Sequence, residues 1–206
     1  MRKKKETIAA TPERKKIDLS LFADKRFFLA NASSFIDSFA NASLFMFVPF
    51  LIAFRGWNAS FIGIFTSLFF IGNLLGKVIM GSLTDKIRKE RLFIYCELCI
   101  FISLAILALA PSIAVVSALA IILGFFTKGT VPITSTMIAE STSKDKLESA
   151  YSINSLSTSI ANTAAPAFFG VLADFHGIQT IFFACGIAAL CSTIPAVMII
   201  KGQKIN

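Results

Sequence analysis

The chain has 206 residues, 55% of them apolar, a formal net charge of +8 and only 16% charged residues. Soluble domains carry about 25% charged residues, so an ordinary water-soluble domain is excluded, and a sequence with this many long apolar runs is not a disordered one. The basic excess does not imply nucleic acid, because its distribution along the chain follows a different rule, described below.

Residues 1–26 open the chain with nine Lys or Arg residues and no apolar stretch before Phe27. This segment is therefore not a signal peptide. It reads as a solvated basic tail, with contact to anionic lipid as a sharper alternative. From residue 27 onward, six mostly apolar stretches follow at 27–52, 59–82, 92–110, 113–137, 148–172 and 178–200. Each is long enough to cross a bilayer as a helix of about 20 residues. None alternates apolar and polar residues as a barrel strand would. The expected fold is an all-α integral membrane bundle of six transmembrane helices, with residues 201–206 as a short tail.

Local signals mark the breaks. Gly56 and Asn58 separate the first two spans, Pro111 and Ser112 the third and fourth, and Gly177 the fifth and sixth. Asp145 and Glu148 have the spacing of a capping box opening the fifth span. Pro49, Pro132, Pro166 and Pro195 lie inside spans, where proline marks a kink.

Lys and Arg concentrate in cytoplasmic loops of membrane proteins. Seventeen of them fall in the tails and in the loops after the second and fourth spans, against Arg55 alone on the other side. The expected topology has both termini in the cytoplasm and the protein in the cell (plasma) membrane.

Polar side chains inside the bilayer turn toward protein or water. Asn31, Ser34, Ser38 and Asn41 recur at helical steps in the first span, with Asp37 beside them. Thr127, Thr130 and Thr134 do so in the fourth, next to Lys128, and Ser152, Ser155, Ser159 and Asn162 in the fifth. These three spans are expected to wall a polar cavity, and the sixth to face lipid. Helix-to-helix packing by small polar groups is the alternative for the stripes. Asp37, Asn41, Lys128, Ser155 and Asn162 are the candidates for a substrate or proton pathway. Four ionisable residues lie within spans, namely Asp37, Lys77, Glu97 and Lys128; internal ion pairing, or snorkelling for Lys77, is the competing reading.

Enzyme chemistry has no foothold. The one histidine, His176, falls in an outer loop, and neither a phosphate-binding loop nor a G-x-S-x-G elbow is present. Cys96 and Cys99 flank Glu97 and Leu98 within an apolar helix, while Cys185 and Cys191 have no histidine near them. Metal sites need more ligands than that. No metal, no cofactor and no catalytic residue is expected. Asn58 begins a glycosylation sequon too close to the membrane to be a good acceptor.

Residues 81–91 read G-S-L-T-D-K-I-R-K-E-R. This loop resembles the G-x-L-x-D-R-x-G-R-K signature of the major facilitator superfamily, with Gly81, Leu83, Asp85, Lys86 and Lys89 matching in type. Arg88 and Glu90 depart from it. Residues 166–177, P-A-F-F-G-V-L-A-D-F-H-G, resemble a second pattern of that family, as do Gly124, Pro132 and Glu140 of the fourth span. The resemblance implies one six-helix half of a transporter, the C-terminal half by its basic leading segment. It also implies that Gly81, Asp85, Lys86 and Lys89 form a conformational-switch loop, with Gly81 permitting close helix approach. The implied function is solute movement by alternating access, driven by an ion gradient, with a lipid bilayer and a second six-helix half (another copy or a separate N-terminal half) as partners. A split or truncated transporter, and a transport-inactive scaffold or regulatory subunit derived from a transporter half, are the alternatives.

Overall fold

The structure, a computed structural model, describes residues 18–110 and 112–203. Most of the basic tail, residues 1–17, thus lies outside the described residues, as do Pro111 and 204–206. Seven α-helices and two short 3-10 turns make up the elements, and no strand occurs among the described residues. The helices are α1 (Lys25–Ala42), α2 (Leu44–Phe54), α3 (Ser60–Leu83), α4 (Lys89–Leu109), α5 (Ile113–Glu140), α6 (Leu147–His176) and α7 (Ile178–Gln203). The two turns are Leu19–Ala23 and Lys144–Lys146. Together they give six membrane-length segments, with α1 and α2 forming one of them. The chain is a multi-pass membrane protein. At 1.5 Å per residue, the 24 residues of α3 reach about 36 Å, enough for a hydrocarbon core of about 30 Å.

Two boundaries differ from the sequence expectation. The first span is broken at Ser43, whose N–H bonds the Asn41 carbonyl instead of continuing the α-helical ladder. Asn and Ser compete with helical backbone bonding, and Pro49 removes a further helix hydrogen bond above the break. The fifth span has no capping box: its N-cap is Lys146, without a side-chain cap bond, and Asp145 lies in the preceding 3-10 turn. A true N-cap does open α1, where Asp24 Oδ1 accepts from the Arg26 N–H at 2.8 Å and the Phe27 N–H at 3.3 Å. At the far end of α6, Gly177 takes a positive φ of 84° and lets α7 begin at the next residue.

The tightest contact in the bundle is between α3 and α5. A Cβ added at Gly72 would fall on the Ile121 carbonyl, one at Gly76 on the Phe125 carbonyl, and one at Gly124 on the Phe69 carbonyl. Small residues at this spacing allow membrane helices to pack backbone on backbone. Gly81 is not one of these: a Cβ there would meet only Pro132 Cβ, at 3.9 Å. The close approach attributed to Gly81 therefore belongs to Gly72, Gly76 and Gly124, deeper in the bundle. The sixth span, α7, packs between α1 and α4 and turns one apolar side outward. It buries Phe182, Cys185, Ala189, Ser192 and Ala196, and only one arc, with Ile187, Ile194 and Met198, is left for lipid.

The apolar interior falls into two clusters. One joins Leu44, Leu51, Ile52, Leu104, Leu107, Phe169 and Phe182. The other joins Phe27, Leu92, Phe93, Ile133, Ile138 and Ile199 toward the end where the basic loops gather. Along α1, α4 and α5 the residues between the two clusters are Ser34, Asp37, Glu97, Thr127 and Thr130, all buried. A polar layer thus divides the core at mid-bundle.

Candidate functional site

The polar layer opens sideways into a cavity of about 200 Å³ between α1, α5 and α6. Of the thirteen residues that line it, only Ala42 and Val131 lack a polar side-chain atom. The helical steps explain how it forms. Ser34, Asp37, Ser38 and Asn41 lie on one face of α1; Thr127, Lys128, Thr134 and Ser135 project from α5; and Asn154, Thr158 and Asn162 project from α6.

Asp37 is the centre of this arrangement. Its residue is 5% exposed. Oδ1 accepts from the Asn41 amide, and Oδ2 from the Thr130 hydroxyl at 3.1 Å. That hydroxyl is also 2.9 Å from the Thr127 carbonyl, so its single proton is divided between two acceptors. Lys128 faces the same space, half-buried, and acts on Asp37 by charge alone. Among the described residues it forms no ion pair within 4.0 Å. Opposite charges therefore flank the cavity without closing on each other. Asn31, nearly two turns nearer the basic end of α1 than Asp37, ties α1 to α6 through its amide, 3.1 Å from Ser157 Oγ.

Glu97 sits behind this wall. It is fully buried on α4, with Asp37 and Ser192 as its polar neighbours. Among the described residues neither carboxyl oxygen has a hydrogen-bond partner by distance and angle. Two more unpartnered acceptors lie at the cavity itself, Asn41 Oδ1 and Asn154 Oδ1. An unpaired buried acceptor costs roughly 1–3 kcal/mol; others among the described residues, such as Asn31 Oδ1 and Asn73 Oδ1, lie away from the cavity.

The structure brings four of the five pathway candidates together: Asp37, Asn41, Lys128 and Asn162 all line the cavity. Ser155 does not. It is exposed on α6, beside Tyr151, Ser152 and Leu156 along a shallow groove. Lys77 is exposed on the outer side of α3 and takes no part. Sequence reasoning placed Thr130 in the α5 stripe without seeing that it is the direct partner of Asp37. The signal was there in its register with Thr127 and Thr134, but the pairing depends on how deeply α5 sits against α1.

A second polar region closes the basic end. The loop between α3 and α4 lines a recess of about 320 Å³ with Arg26, Glu140 and Gln203. Within it Lys89 bonds Glu140 and Arg88 bonds Gln203. Arg26 lies 3.6 Å from Glu140 and 4.0 Å from Glu90. Glu90 is buried and also meets Arg88 at 3.9 Å. Of the loop candidates, only Lys89 enters the network; Asp85 and Lys86 are exposed and line the recess. Arg26 and Glu90, which the sequence did not single out, are central to it. A third contact lies beside it: Lys146 Nζ is 2.7 Å from Asp18 Oδ2 and 3.2 Å from Ser20 Oγ. The Lys146 ammonium holds the Asp18 carboxyl down at about 2, helped by Ser20.

Residues 30–204 match the family described as Major Facilitator Superfamily. The chain belongs to this superfamily. It is 25% identical over 171 residues to the multi-drug resistance efflux pump PmrA homolog of Lactococcus lactis subsp. lactis strain IL1403, across 79% of this chain and 42% of that protein. It is 28% identical over 167 residues to the multi-drug resistance efflux pump PmrA of Streptococcus pneumoniae serotype 4, across 78% of this chain and 42% of that protein. The chain thus spans less than half the length of these curated relatives.

Proposed function

We propose that this chain is one six-helix half of a secondary transporter of the major facilitator superfamily. It moves a small solute by alternating access, rocking against a second six-helix unit that is another copy or a separate chain. The observation that carries this reading is the state of α6. It is the least apolar of the six spans, and yet only 17% of its most apolar stretch is buried, against 28–50% in the other five. Ser155, Ser159, Asn162 and Thr163 are all exposed along it. A polar helix face turned toward lipid is costly. Water in a translocation path, or a partner across that path, relieves the cost. Pairing with a second unit would also place the Asp37–Lys128 cavity at the interface between halves.

The positive-inside asymmetry supports cytoplasmic termini in a plasma membrane. The network of Lys89, Glu140, Arg26 and Glu90 then lies at the cytoplasmic face, where the loop of Gly81, Asp85, Lys86 and Lys89 acts as the switch between states. Ion pairs there favour the state in which the cytoplasmic ends of α1, α4 and α5 are drawn together. In this reading an ion gradient drives uphill movement. In this reading Ser155 and Asn162 face the path from α6, and Asp37, Asn41 and Lys128 bind solute.

The test is flux in proteoliposomes, with the chain alone and with a co-expressed second six-helix unit. Asp37→Asn and Lys128→Ala are each expected to lower flux at least about tenfold, the loss of one charged contact of roughly 1.5–3 kcal/mol. Full flux in both variants, or none from wild type in any pairing, sinks the proposal.

A further inference from the structure

The relatives bear the name of multi-drug pumps, yet the cavity of this chain has the wrong lining for a bulky lipophilic compound. Drug-sized ligands occupy pockets of about 300–1,000 Å³ lined mostly by apolar and aromatic side chains. No aromatic ring is among the residues that line this cavity, and only Ala42 and Val131 are apolar. It presents one carboxyl, one ammonium, three asparagines and several hydroxyls instead.

We infer that the cavity binds a small zwitterion with a free amine, of the size and chemistry of a polar amino acid. This rests on the transporter reading and names its substrate class. Three observations support it together. First, Asp37 and Lys128 flank the space without an ion pair, which leaves one charge for each end of a zwitterion. Second, Asp37 has two donors, Asn41 and Thr130. An ionised carboxylate offers about four acceptor positions, so capacity remains for an incoming N–H. Third, Asn41 Oδ1 and Asn154 Oδ1 are buried at the cavity and accept from no described residue. With Asp37 they form a set of acceptors suited to the three hydrogens of an ammonium group. Lys128, with the Thr134 and Ser135 hydroxyls on the same helix, receives the carboxylate. The Thr134 hydroxyl donates to the Thr130 and Val131 carbonyls at 3.1 Å, and its one proton reaches the carboxylate by turning away from them.

The chemistry makes a narrow demand. A quaternary amine has no N–H and cannot satisfy the two asparagine oxygens. A polar site that is built for hydrogen bonds rejects the analogue that lacks them far more strongly than an apolar pocket rejects extra bulk. Serine should therefore bind and glycine betaine should not, although both are small zwitterions.

The experiment is calorimetric binding to the purified full chain in nanodiscs, with serine, glycine betaine and tetraphenylphosphonium as probes. Serine binding, with at least tenfold weaker betaine and phosphonium binding, is the expected result. Lys128→Ala and Asn154→Ala should each weaken serine at least fivefold, while Lys128→Arg should retain most of the affinity. Preferential phosphonium binding, equal binding of betaine, or no serine binding up to roughly 10 mM overturns the inference. The wild-type panel decides it even if a variant does not fold. Flux separates the two proposals: phosphonium moved across proteoliposomes without serine keeps the transporter and sinks the zwitterion. Serine bound but never moved, in any pairing, does the reverse.

Discussion

The seam between α3 and α5 and the flank formed by α6 are opposite solutions to life in lipid. At the seam, Gly72, Gly76 and Gly124 bring the two backbones together until no side chain fits between them. Along α6, serines, threonines and asparagines are left in the open beside the cavity. Lipid supplies no hydrophobic force to press helices together, so association rests on packing and hydrogen bonds. The seam supplies packing and has no other task that these residues reveal. The α6 flank gives up packing, and its polar groups have meaning only if water, solute or a second unit reaches them.

The largest expected effect lies at the seam. Gly124→Leu should prevent recovery of folded protein, because the obstacle is the Phe69 carbonyl on a packed backbone and not the end of a flexible side chain. Overpacking costs about 1–3 kcal/mol where side chains can shift, and here they cannot. Size-exclusion chromatography and thermal unfolding in detergent would read the loss. Gly81→Ala is the control. With only Pro132 Cβ at 3.9 Å, it should change stability by no more than about 0.5 kcal/mol, whatever it does to flux. If both substitutions were equally harmless, the seam would not be the rigid part of the molecule.

Next in size is Glu97. Its carboxyl is fully buried, and its oxygens lack partners among the described residues. A buried polar group left without a partner costs about 1–3 kcal/mol, which an apolar side chain of similar size does not incur. Glu97→Met is therefore expected to leave stability unchanged or raise it, by up to about 3 kcal/mol, and to lower flux, since Glu97 backs Asp37 at the cavity. A clear fall in the melting temperature together with undiminished flux would mean that the carboxyl serves the fold after all, and that the polar layer resembles the seam more than the flank.

On α6 the contrast can be sharpened directly. Ser155→Leu and Ser159→Leu alter exposed positions, so each should leave the stability of the isolated chain within about 0.5 kcal/mol. Flux or pairing with a second unit should nonetheless fall several-fold. Cross-linking yield between units and proteoliposome flux are the measurements. Unchanged values for both would make the exposed polar face ordinary helix surface.

These contrasts also explain what the sequence could and could not reveal. Six spans, their boundaries to within a few residues and the three polar stripes were legible because helical period and apolar length are local properties. So was the gathering of Asp37, Asn41, Lys128 and Asn162, which needs only that polar faces turn inward. Ser155 lies outside the cavity. It shares a stripe with Asn162, but the stripe is wider than the cavity, and only the α1–α6 packing decides which edge lies inside. The capping box failed because Lys144–Lys146 form a 3-10 turn that shifts the helix start past Asp145. The glycine seam was missed for a different reason. A glycine in an apolar run gives no sign of its partner, and Gly72 and Gly124 meet across more than fifty residues of chain.

The smallest expected effect concerns the tether that joins the leading segment to α6. Asp18 receives Lys146 at 2.7 Å, and its carboxyl is held at about 2, below the ordinary 3.8. Because the folded value lies below the unfolded one, the contribution of this contact is complete above about pH 4 and fades as the pH falls toward 2. Asp18→Asn should abolish that pH dependence, and it should bring the amide protection of residues 19–23 at neutral pH to the level that wild type shows at low pH. Hydrogen exchange read at Leu21, whose N–H bonds the Asp18 carbonyl at 3.4 Å, is the sensitive probe. The contact lies at the surface with both side chains partly open to solvent, so salt should weaken it as acid does. The seam, which contains no charge to screen, should not respond to either treatment. If acid loosened the seam before the tether, the division into a rigid and a responsive part would be drawn in the wrong place.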